Sequence, residues 1–376
     1  MPQSAQDTPT ETRKGVTMYE LWQDLSTSWF KETVRTLEGL RRGLLEPFPI
    51  QEDPPPTTPS TVIYEGGKVK LRYYPAVGQS HATPLLIVYA LIKRPFILDL
   101  LPGLSVVENL TTQGFEVYLI DWIPPTRADA WRGFDAYVNG DLADAVRAVQ
   151  LHSGTEQVSL LGYCFGALLS TIYAALYPET IKHFIPLTLP LDMGNDEIPL
   201  FSLAKKVDPD LLTGAFGNCP AWVMKTGFSA MSPVHHVLNK HVGLYRNKER
   251  EGYAEMFERF ERWMNSDVPL AGQLFREVST NVFQQNQLAR GRLRVGGQVV
   301  NLEYITCPVL NVIGEHDDVV HPKSSLPLVD LVGSDDAQNL VFPTGHIGVV
   351  VSSGAHKKLW PQVGRWLKEH DGVVAQ

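Results

Sequence analysis

The sequence is poor in cysteine and contains no long apolar run. Its 376 residues include three cysteines, Cys164, Cys219 and Cys307, and this odd, widely spaced set argues against a disulfide framework and for a reducing cytoplasm. The longest apolar stretch, residues 85 to 92, is far too short to cross a bilayer. The first residues are polar, with no apolar segment of the signal-peptide type. We therefore expect a cytoplasmic protein without a transmembrane segment.

Excess positive charge and metal-binding patterns are also lacking. The formal net charge is −8, and no basic run is interleaved with aromatic residues, so nucleic acid and anionic membranes are not expected partners. No Cys/His spacing resembles a zinc site. The adjacent pair His235 and His236 is interpreted as surface or packing residues. No metal site is predicted.

The chain begins with segments that differ from the rest. A polar tail precedes an amphipathic helix predicted over residues 18 to 45, and a proline-rich linker is predicted over residues 52 to 59. We assign residues 1–60 to this N-terminal region. The apolar face of its helix would pack on the main body, contact a partner or contact an apolar surface, and the sequence leaves these open.

From residue 61, predicted strands and helices alternate, which is typical of an α/β protein with a parallel sheet covered on both faces. A hairpin is followed by continuous apolar strands at residues 85–89, 117–122, 158–161, 184–189, 309–313 and 339–342. Residues 95 to 112 are predicted as one helix. Helical segments rich in aromatic residues interrupt the alternation over residues 191–290. We predict a mostly helical cap there, inserted into a core of residues 61–190 and 291–376.

A glycine-flanked cysteine follows the strand at 158–161. The run Gly162-Tyr163-Cys164-Phe165-Gly166 leads directly into an Ala/Leu-rich helix. This pattern is typical of the nucleophile elbow of α/β-hydrolases, with cysteine in the usual place of serine. A thiolate attacks thioesters well and also leaves well, which suggests acyl chemistry on thiol carriers. The alternative is that Cys164 is a small core residue, as we interpret Cys219 and Cys307.

The elbow requires an acid and a histidine downstream, in that order. The strand at 309–313 is followed by the carboxylates Glu315, Asp317 and Asp318, and the strand at 339–342 is followed by Gly-His346-x-Gly. The oxyanion hole is expected from the backbone N–H of Phe165 and from the loop after residue 89. The loop donors are Ala90, Leu91 and Ile92, and the candidate pocket residues are Tyr163 and Trp122, the latter interpreted equally as core.

With these motifs, the chain resembles the polyhydroxyalkanoate synthases, and most closely the short-chain synthases that work with a separate partner subunit. The resemblance covers residues 60 to 368 and rests on residues 84–95, 117–122, 283–293, 305–311, 317–322 and 345–348. It implies an α/β-hydrolase fold and a catalytic set of Cys164, Asp317 and His346. Two features depart from the family: Ala167 replaces a second glycine after the elbow, and the N-terminal region differs, which leaves the need for a partner open.

The resemblance implies polymerisation of (R)-3-hydroxyacyl-CoA, with 3-hydroxybutyryl-CoA as the expected monomer, through a Cys164 thioester. Coenzyme A is then the leaving group and no cofactor is needed. It further implies a homodimer located on polyester granules. Asp317 would activate the substrate hydroxyl either directly or through His346. Two alternatives are a cysteine hydrolase of the dienelactone-hydrolase kind, against which the large cap counts, and a non-catalytic granule-binding protein, against which the complete Cys/Asp/His set counts.

Overall fold

The computed structural model describes residues 53–194, 205–231 and 253–371, all of which belong to one compact unit. The helix predicted over residues 18 to 45 and the pair His235 and His236 lie outside the described residues.

An eight-stranded sheet forms the centre of the described unit. Its order is β1-β2-β4-β3-β5-β6-β7-β8; β1 and β2 are antiparallel to their neighbours, and the other strands are parallel. Strands β3, β4, β5 and β7 are buried along their whole length, as expected for a sheet covered on both faces. The strands are β1 Thr61–Gly66, β2 Val69–Tyr74, β3 Leu85–Val88, β4 Val117–Trp122, β5 Val158–Tyr163, β6 Ile181–Leu187, β7 Val309–Gly314 and β8 Ala337–Phe342.

Helices connect the strands on both sides of the sheet. The α-helices of the core are Val106–Thr112, Ala143–Ser153, Phe165–Leu176, Pro322–Ser325, Leu328–Leu331, Gly348–Val351 and Trp360–His370. Two of them continue from π-helical segments, Ala136–Leu142 and Ala355–Leu359. Over the described residues, no helix combines the length and apolar character needed to cross a membrane.

The segment between β6 and β7 is mostly helical in its described part. It contains the α-helices Pro209–Phe216, Ala221–Met231, Tyr253–Met264 and Gly272–Glu277, followed by the π-helical segment Val278–Gln284. A short ribbon, Arg294–Val295 paired with Gln298–Val299, and a 3-10 turn at Leu302–Tyr304 then lead into β7. We call the part between β6 and residue 290 the cap.

Two sequence-based boundaries are wrong. Residues 95 to 112 do not form one helix, because Pro102 and Gly103, with φ of 75° at Gly103, turn the chain between the paired segments Asp99–Leu101 and Leu104–Ser105. The strand predicted over residues 184–189 is β6, which begins earlier, at Ile181, where it pairs with Val158. It ends before Thr188, because the φ of 51° at Thr188 is incompatible with a strand.

The described part of the proline-rich linker is attached to the core. Asp53 forms an ion pair of 2.8 Å with Arg94. The backbone N–H groups and hydroxyls of Thr57 and Thr58 donate to the Asp99 carboxylate over 2.7–2.9 Å. Hydrogen bonds to an ionised acceptor are stronger than neutral ones, so these contacts fix the linker against the loop that follows β3.

Candidate active site

Cys164 lies in the sharp turn between β5 and the helix Phe165–Leu176. Its backbone has φ of 56° and ψ of −118°, a conformation that is strained for any residue with a side chain. The N–H of Cys164 donates to the carbonyl of Leu187 over 2.9 Å, and its own carbonyl accepts from Leu168 over 3.2 Å. The strained turn is therefore held from the neighbouring strand and from the first turn of the helix, which is the geometry of a nucleophile elbow.

The two glycines of the motif are required by close backbone approach. A Cβ at Gly166 would lie 2.0 Å from the carbonyl oxygen of Val88, and a Cβ at Gly162 would lie 2.6 Å from the Cα of Ala167. Ala167, which departs from the family pattern, is fully buried at this point. It lies inside the helix, where the backbone conformation suits alanine and glycine is not required. The elbow thus packs directly against the end of β3.

Replacing Gly166 with alanine is expected to push the elbow away from the end of β3. The added methyl group collides with backbone, which cannot rotate away, so we expect a loss of about 1–3 kcal/mol in the free energy of unfolding. Urea denaturation measures this. Gly214→Ala is the matched control: a Cβ there meets nothing within 4 Å, and in a helix the change should stabilise by up to about 1 kcal/mol. Equal stability of the two variants would contradict the close approach at Gly166.

Asp317 and His346 are joined by a hydrogen bond. The distance from His346 Nδ1 to Asp317 Oδ2 is 2.7 Å, and Asp317 Oδ1 accepts from the N–H groups of Val319 and Val320 over 2.9 and 2.7 Å. The Asp317 side chain is fully buried. The other two candidate acids, Glu315 and Asp318, are exposed. Of the three acids that follow β7, Asp317 is therefore the one that the fold brings to the histidine.

His346 interacts with the side chains of both Asp317 and Cys164. Burial opposes its protonation, but the charges of Asp317 and Cys164, together with hydrogen bonds to both side chains, raise the pKa of His346 well above its usual 6.5. Because Nδ1 is bonded to Asp317, Nε2 is the nitrogen left for the Cys164 thiol. This arrangement can accept a proton from the thiol and hold it as an imidazolium beside a thiolate.

The two candidate pocket residues are buried supports in this structure. Tyr163 stacks on the His346 ring, with centroids 5.3 Å apart, and its hydroxyl donates to the His346 carbonyl over 3.1 Å. Trp122 Nε1 donates to the carbonyl of Tyr89 over 2.8 Å. These contacts hold the histidine loop and the loop after β3. That either residue also lines the substrate pocket stays a prediction.

The loop after β3, residues 89–94, lies beside the elbow because β3 pairs with β5. We call it the oxyanion loop. Over the described residues, no backbone carbonyl accepts from the N–H of Phe165, Leu91 or Ile92. These N–H groups are therefore available to a ligand, and the loop and the helix start could supply two donors to one oxyanion.

The other two cysteines occupy different environments. Cys219 is buried in the cap, and burial raises the pKa of its thiol to about 12. Burial likewise raises the pKa of the Cys307 thiol to about 12. Both are therefore protonated and unreactive at neutral pH. In the described part of the chain, no three His, Cys, Asp or Glu side chains form a group that could hold a metal ion.

Comparisons with solved structures are consistent with this architecture. An enol-lactonase from Burkholderia xenovorans matches with a TM-score of 0.50 and 13% identity, over 80% of this chain and 97% of the enzyme. A proposed lipase from Sulfolobus solfataricus matches with a TM-score of 0.54 and 18% identity, over 80% of this chain and 89% of that one. At these identities the likeness concerns the fold alone.

Sequence comparisons give the family. The family model of the α/β-hydrolase fold matches residues 83–352. Poly(3-hydroxyalkanoate) polymerase subunits PhaC match over 83% of this chain: the Haloferax mediterranei protein at 39% identity over 64% of its own length, and the Allochromatium vinosum and Synechocystis proteins at 34% and 35% over 89% and 85% of theirs. This chain thus spans somewhat less than two thirds of the Haloferax relative. The predicted fold class is confirmed, and the chain belongs to the family of poly(3-hydroxyalkanoate) polymerase subunits PhaC within the α/β-hydrolase fold.

Proposed function

We propose that this protein is the catalytic subunit of a polyhydroxyalkanoate synthase that polymerises (R)-3-hydroxyacyl-CoA, with 3-hydroxybutyryl-CoA as the monomer. The observation that carries the proposal is the juxtaposition of Cys164, on a strained elbow, with a buried His346 that is bonded to Asp317. Membership of the PhaC family supports the same chemistry.

Acylation begins with proton transfer from the Cys164 thiol to His346. The thiolate attacks the carbonyl carbon of the acyl-CoA thioester, and the tetrahedral oxyanion is held by the N–H groups of Phe165 and of Leu91 or Ile92. As the intermediate collapses, the bond to the coenzyme A sulfur breaks. His346 returns its proton to that sulfur, so free coenzyme A leaves and a Cys164 thioester remains. No cofactor enters this step.

Chain growth requires a 3-hydroxyl group to attack a thioester: the new C–O ester bond forms, the C–S bond breaks, and the departing thiolate receives the proton that a base has taken from the hydroxyl. Both oxygens of Asp317 are already engaged, one by His346 and the other by two backbone N–H groups, and the side chain is fully buried. These contacts favour His346 as the base, with Asp317 acting through it. The cap would exclude water, which otherwise hydrolyses the thioester.

The surroundings of the enzyme are part of the proposal. The relatives are named as subunits, which supports a partner subunit for this chain as well. We further propose that the protein acts as a homodimer at the surface of the polyester granules that it makes, in the cytoplasm.

The test is incubation of the purified chain with (R)-3-hydroxybutyryl-CoA, with and without a candidate partner subunit. Free thiol is measured with a chromogenic disulfide, and the product is separated into insoluble polyester and soluble acid. Polyester with an equivalent of coenzyme A supports the proposal. Soluble 3-hydroxybutyrate as the main product indicates a cysteine hydrolase instead, and no coenzyme A release under either condition indicates a binding protein.

A further inference from the structure

A short segment of the cap binds the oxyanion loop at several points. Trp263 Nε1, at the end of the cap helix Tyr253–Met264, donates to the hydroxyl of Tyr89 over 3.0 Å and to the carbonyl of Arg94 over 3.1 Å. Val268 donates its N–H to the carbonyl of Ile92 over 3.1 Å. The segment 263–268, which we call the cap latch, therefore touches both ends and the centre of the loop.

Lys93 joins the loop to the same segment by charge. Its ammonium group lies 2.8 Å from the Asp267 carboxylate and 2.8 Å from the carbonyl of Met264, and it lies 5.3 Å from the centre of the Trp263 ring. Both side chains of the ion pair are largely buried, 16% exposed for Lys93 and 9% for Asp267. An ion pair shielded in this way is held more tightly than an exposed one, because solvent screens it less.

The other side of the loop is fixed by the core. The Arg94 guanidinium donates to the carbonyl of Trp122 over 2.9 Å and forms ion pairs with Asp53 and Asp121, both at 2.8 Å. Residues 91 and 92 lie between this core anchor and the cap latch. Their backbone position thus depends on both: the sheet residue Asp121 and the linker residue Asp53 support it through Arg94, and the cap supports it through the cap latch.

We propose that Trp263 and Asp267 of the cap latch are positioning residues that hold the N–H groups of Leu91 and Ile92 where the oxyanion forms. This inference rests on the proposed function. It makes the cap a part of the catalytic geometry in addition to a barrier against water. Donors that act on a transition-state charge affect kcat more than KM, and a displacement of about 1 Å can cost up to about 100-fold in rate.

The test compares two reactions of Cys164. Release of coenzyme A from 3-hydroxybutyryl-CoA needs the oxyanion hole, whereas alkylation by iodoacetamide needs the thiolate and forms no oxyanion. Trp263→Phe keeps an aromatic ring at this buried position and removes both indole hydrogen bonds. We expect kcat for coenzyme A release to fall by about 10- to 100-fold, with KM changed by less than about 3-fold and the alkylation rate of the Cys164 peptide, followed by mass spectrometry, within about 2-fold of the wild type.

Asp267→Asn is the second variant, since it keeps the side-chain shape while removing the charge that holds Lys93, and we expect the same pattern. Tyr118→Phe is the matched control. It removes the hydroxyl of a buried aromatic residue, which bonds to Glu116 and, at 2.8 Å, to His152 Nδ1, near the start of β4 and beside Leu86 of β3. Its coenzyme A release should equal that of the wild type.

The outcomes separate this inference from the proposed function. If the wild type releases coenzyme A but both cap-latch variants do so as fast as Tyr118→Phe, the inference is overturned and the proposed function stands. A parallel fall in release and alkylation also overturns it, because that indicates general damage to the site. A wild type that is alkylated at Cys164 but releases no coenzyme A overturns the proposed function, and the inference with it.

Discussion

Replacing Cys164 with alanine is expected to abolish coenzyme A release and polyester formation together. In the proposed mechanism the change removes the atom that forms the acyl-enzyme, and loss of the nucleophile from a catalytic set that acts as a unit costs on the order of 10⁴-fold or more in kcat. Coenzyme A release from 3-hydroxybutyryl-CoA, measured as free thiol against an enzyme-free blank, checks this. Cys164→Ala replaces the side chain at a position with φ of 56°, where alanine is no more strained than cysteine.

The other two cysteines provide the controls for this prediction. Cys307→Ala and Cys219→Ala remove thiols whose pKa values burial raises to about 12, so neither should lower coenzyme A release by more than about 2-fold when the variant is folded. Trapping the acylated enzyme with radiolabelled substrate and digesting it should place the label on the peptide that contains Cys164. Full coenzyme A release by Cys164→Ala, or label on either of the other cysteines, would refute the proposed nucleophile.

The second large effect is expected for Asp317→Asn. An amide in place of the carboxylate keeps the size of the side chain but removes the charge that stabilises protonated His346. The amide can also turn its NH2 group, instead of an oxygen, towards Nδ1 of His346. The corresponding change in a serine protease with a Ser/His/Asp triad costs about 10⁴-fold. We expect coenzyme A release to fall by about 10²- to 10⁴-fold. Glu315→Gln, an exposed acid on the same loop, should leave it unchanged.

The same substitution should lower the pKa of His346. In the wild type its pKa is raised well above 6.5, with Asp317 as the larger of the two charges responsible and Cys164 as the smaller. Asp317→Asn should therefore lower the pKa of His346 more than Cys164→Ala does. Nuclear magnetic resonance of the imidazole carbon-bound protons measures both. An unchanged His346 titration in Asp317→Asn would show that the carboxylate does not set the charge of the histidine.

The raised pKa of His346 also predicts the pH dependence of folding stability. The folded state binds this proton more tightly than the unfolded chain, so the contribution is fully present below pH 6.5 and is lost as the pH rises through the raised pKa of the folded state. Urea denaturation as a function of pH should show that loss on the alkaline side in the wild type. In Asp317→Asn the loss should be smaller and should occur at lower pH.

The catalytic elements were accessible to sequence analysis because each one follows its own strand. A buried strand end, a glycine-flanked cysteine and a helix predicted the elbow, and the structure gives Cys164 the positive φ that such a turn needs. The strand-loop pattern alone left Glu315, Asp317 and Asp318 open, and the choice of Asp317 came from the family resemblance. These acids lie too close together in the sequence for a local pattern to separate them. In the structure, the Asp317 carboxylate turns inward and bonds to Val319, Val320 and His346.

Local pattern misled where a tertiary contact overrides it. Residues 95 to 112 are predicted as one helix, but Pro102 and Gly103 turn the chain there. The Asp99 carboxylate accepts four hydrogen bonds from Thr57 and Thr58, which stabilise the paired segment that replaces the middle of the helix. Trp263 and Asp267 were not among the predicted site residues at all. The one signal available was a tryptophan at the end of a strongly amphipathic helix with an acid three residues after that helix, and that pattern is as typical of simple packing.

The sequence by itself therefore determined the strand-helix alternation, the cap and the order of nucleophile, acid and histidine, because these follow from hydrophobic periodicity and from the residue types that a tight turn and acyl transfer require. Only the tertiary structure showed that Asp317 bonds to His346, that Tyr163 stacks on that histidine, and that the oxyanion loop is held both by the ion pairs of Arg94 and by the cap latch. The reason is physical. Those choices are made by hydrogen bonds and ion pairs between residues far apart in the chain, such as Lys93 and Asp267, and no local pattern encodes them.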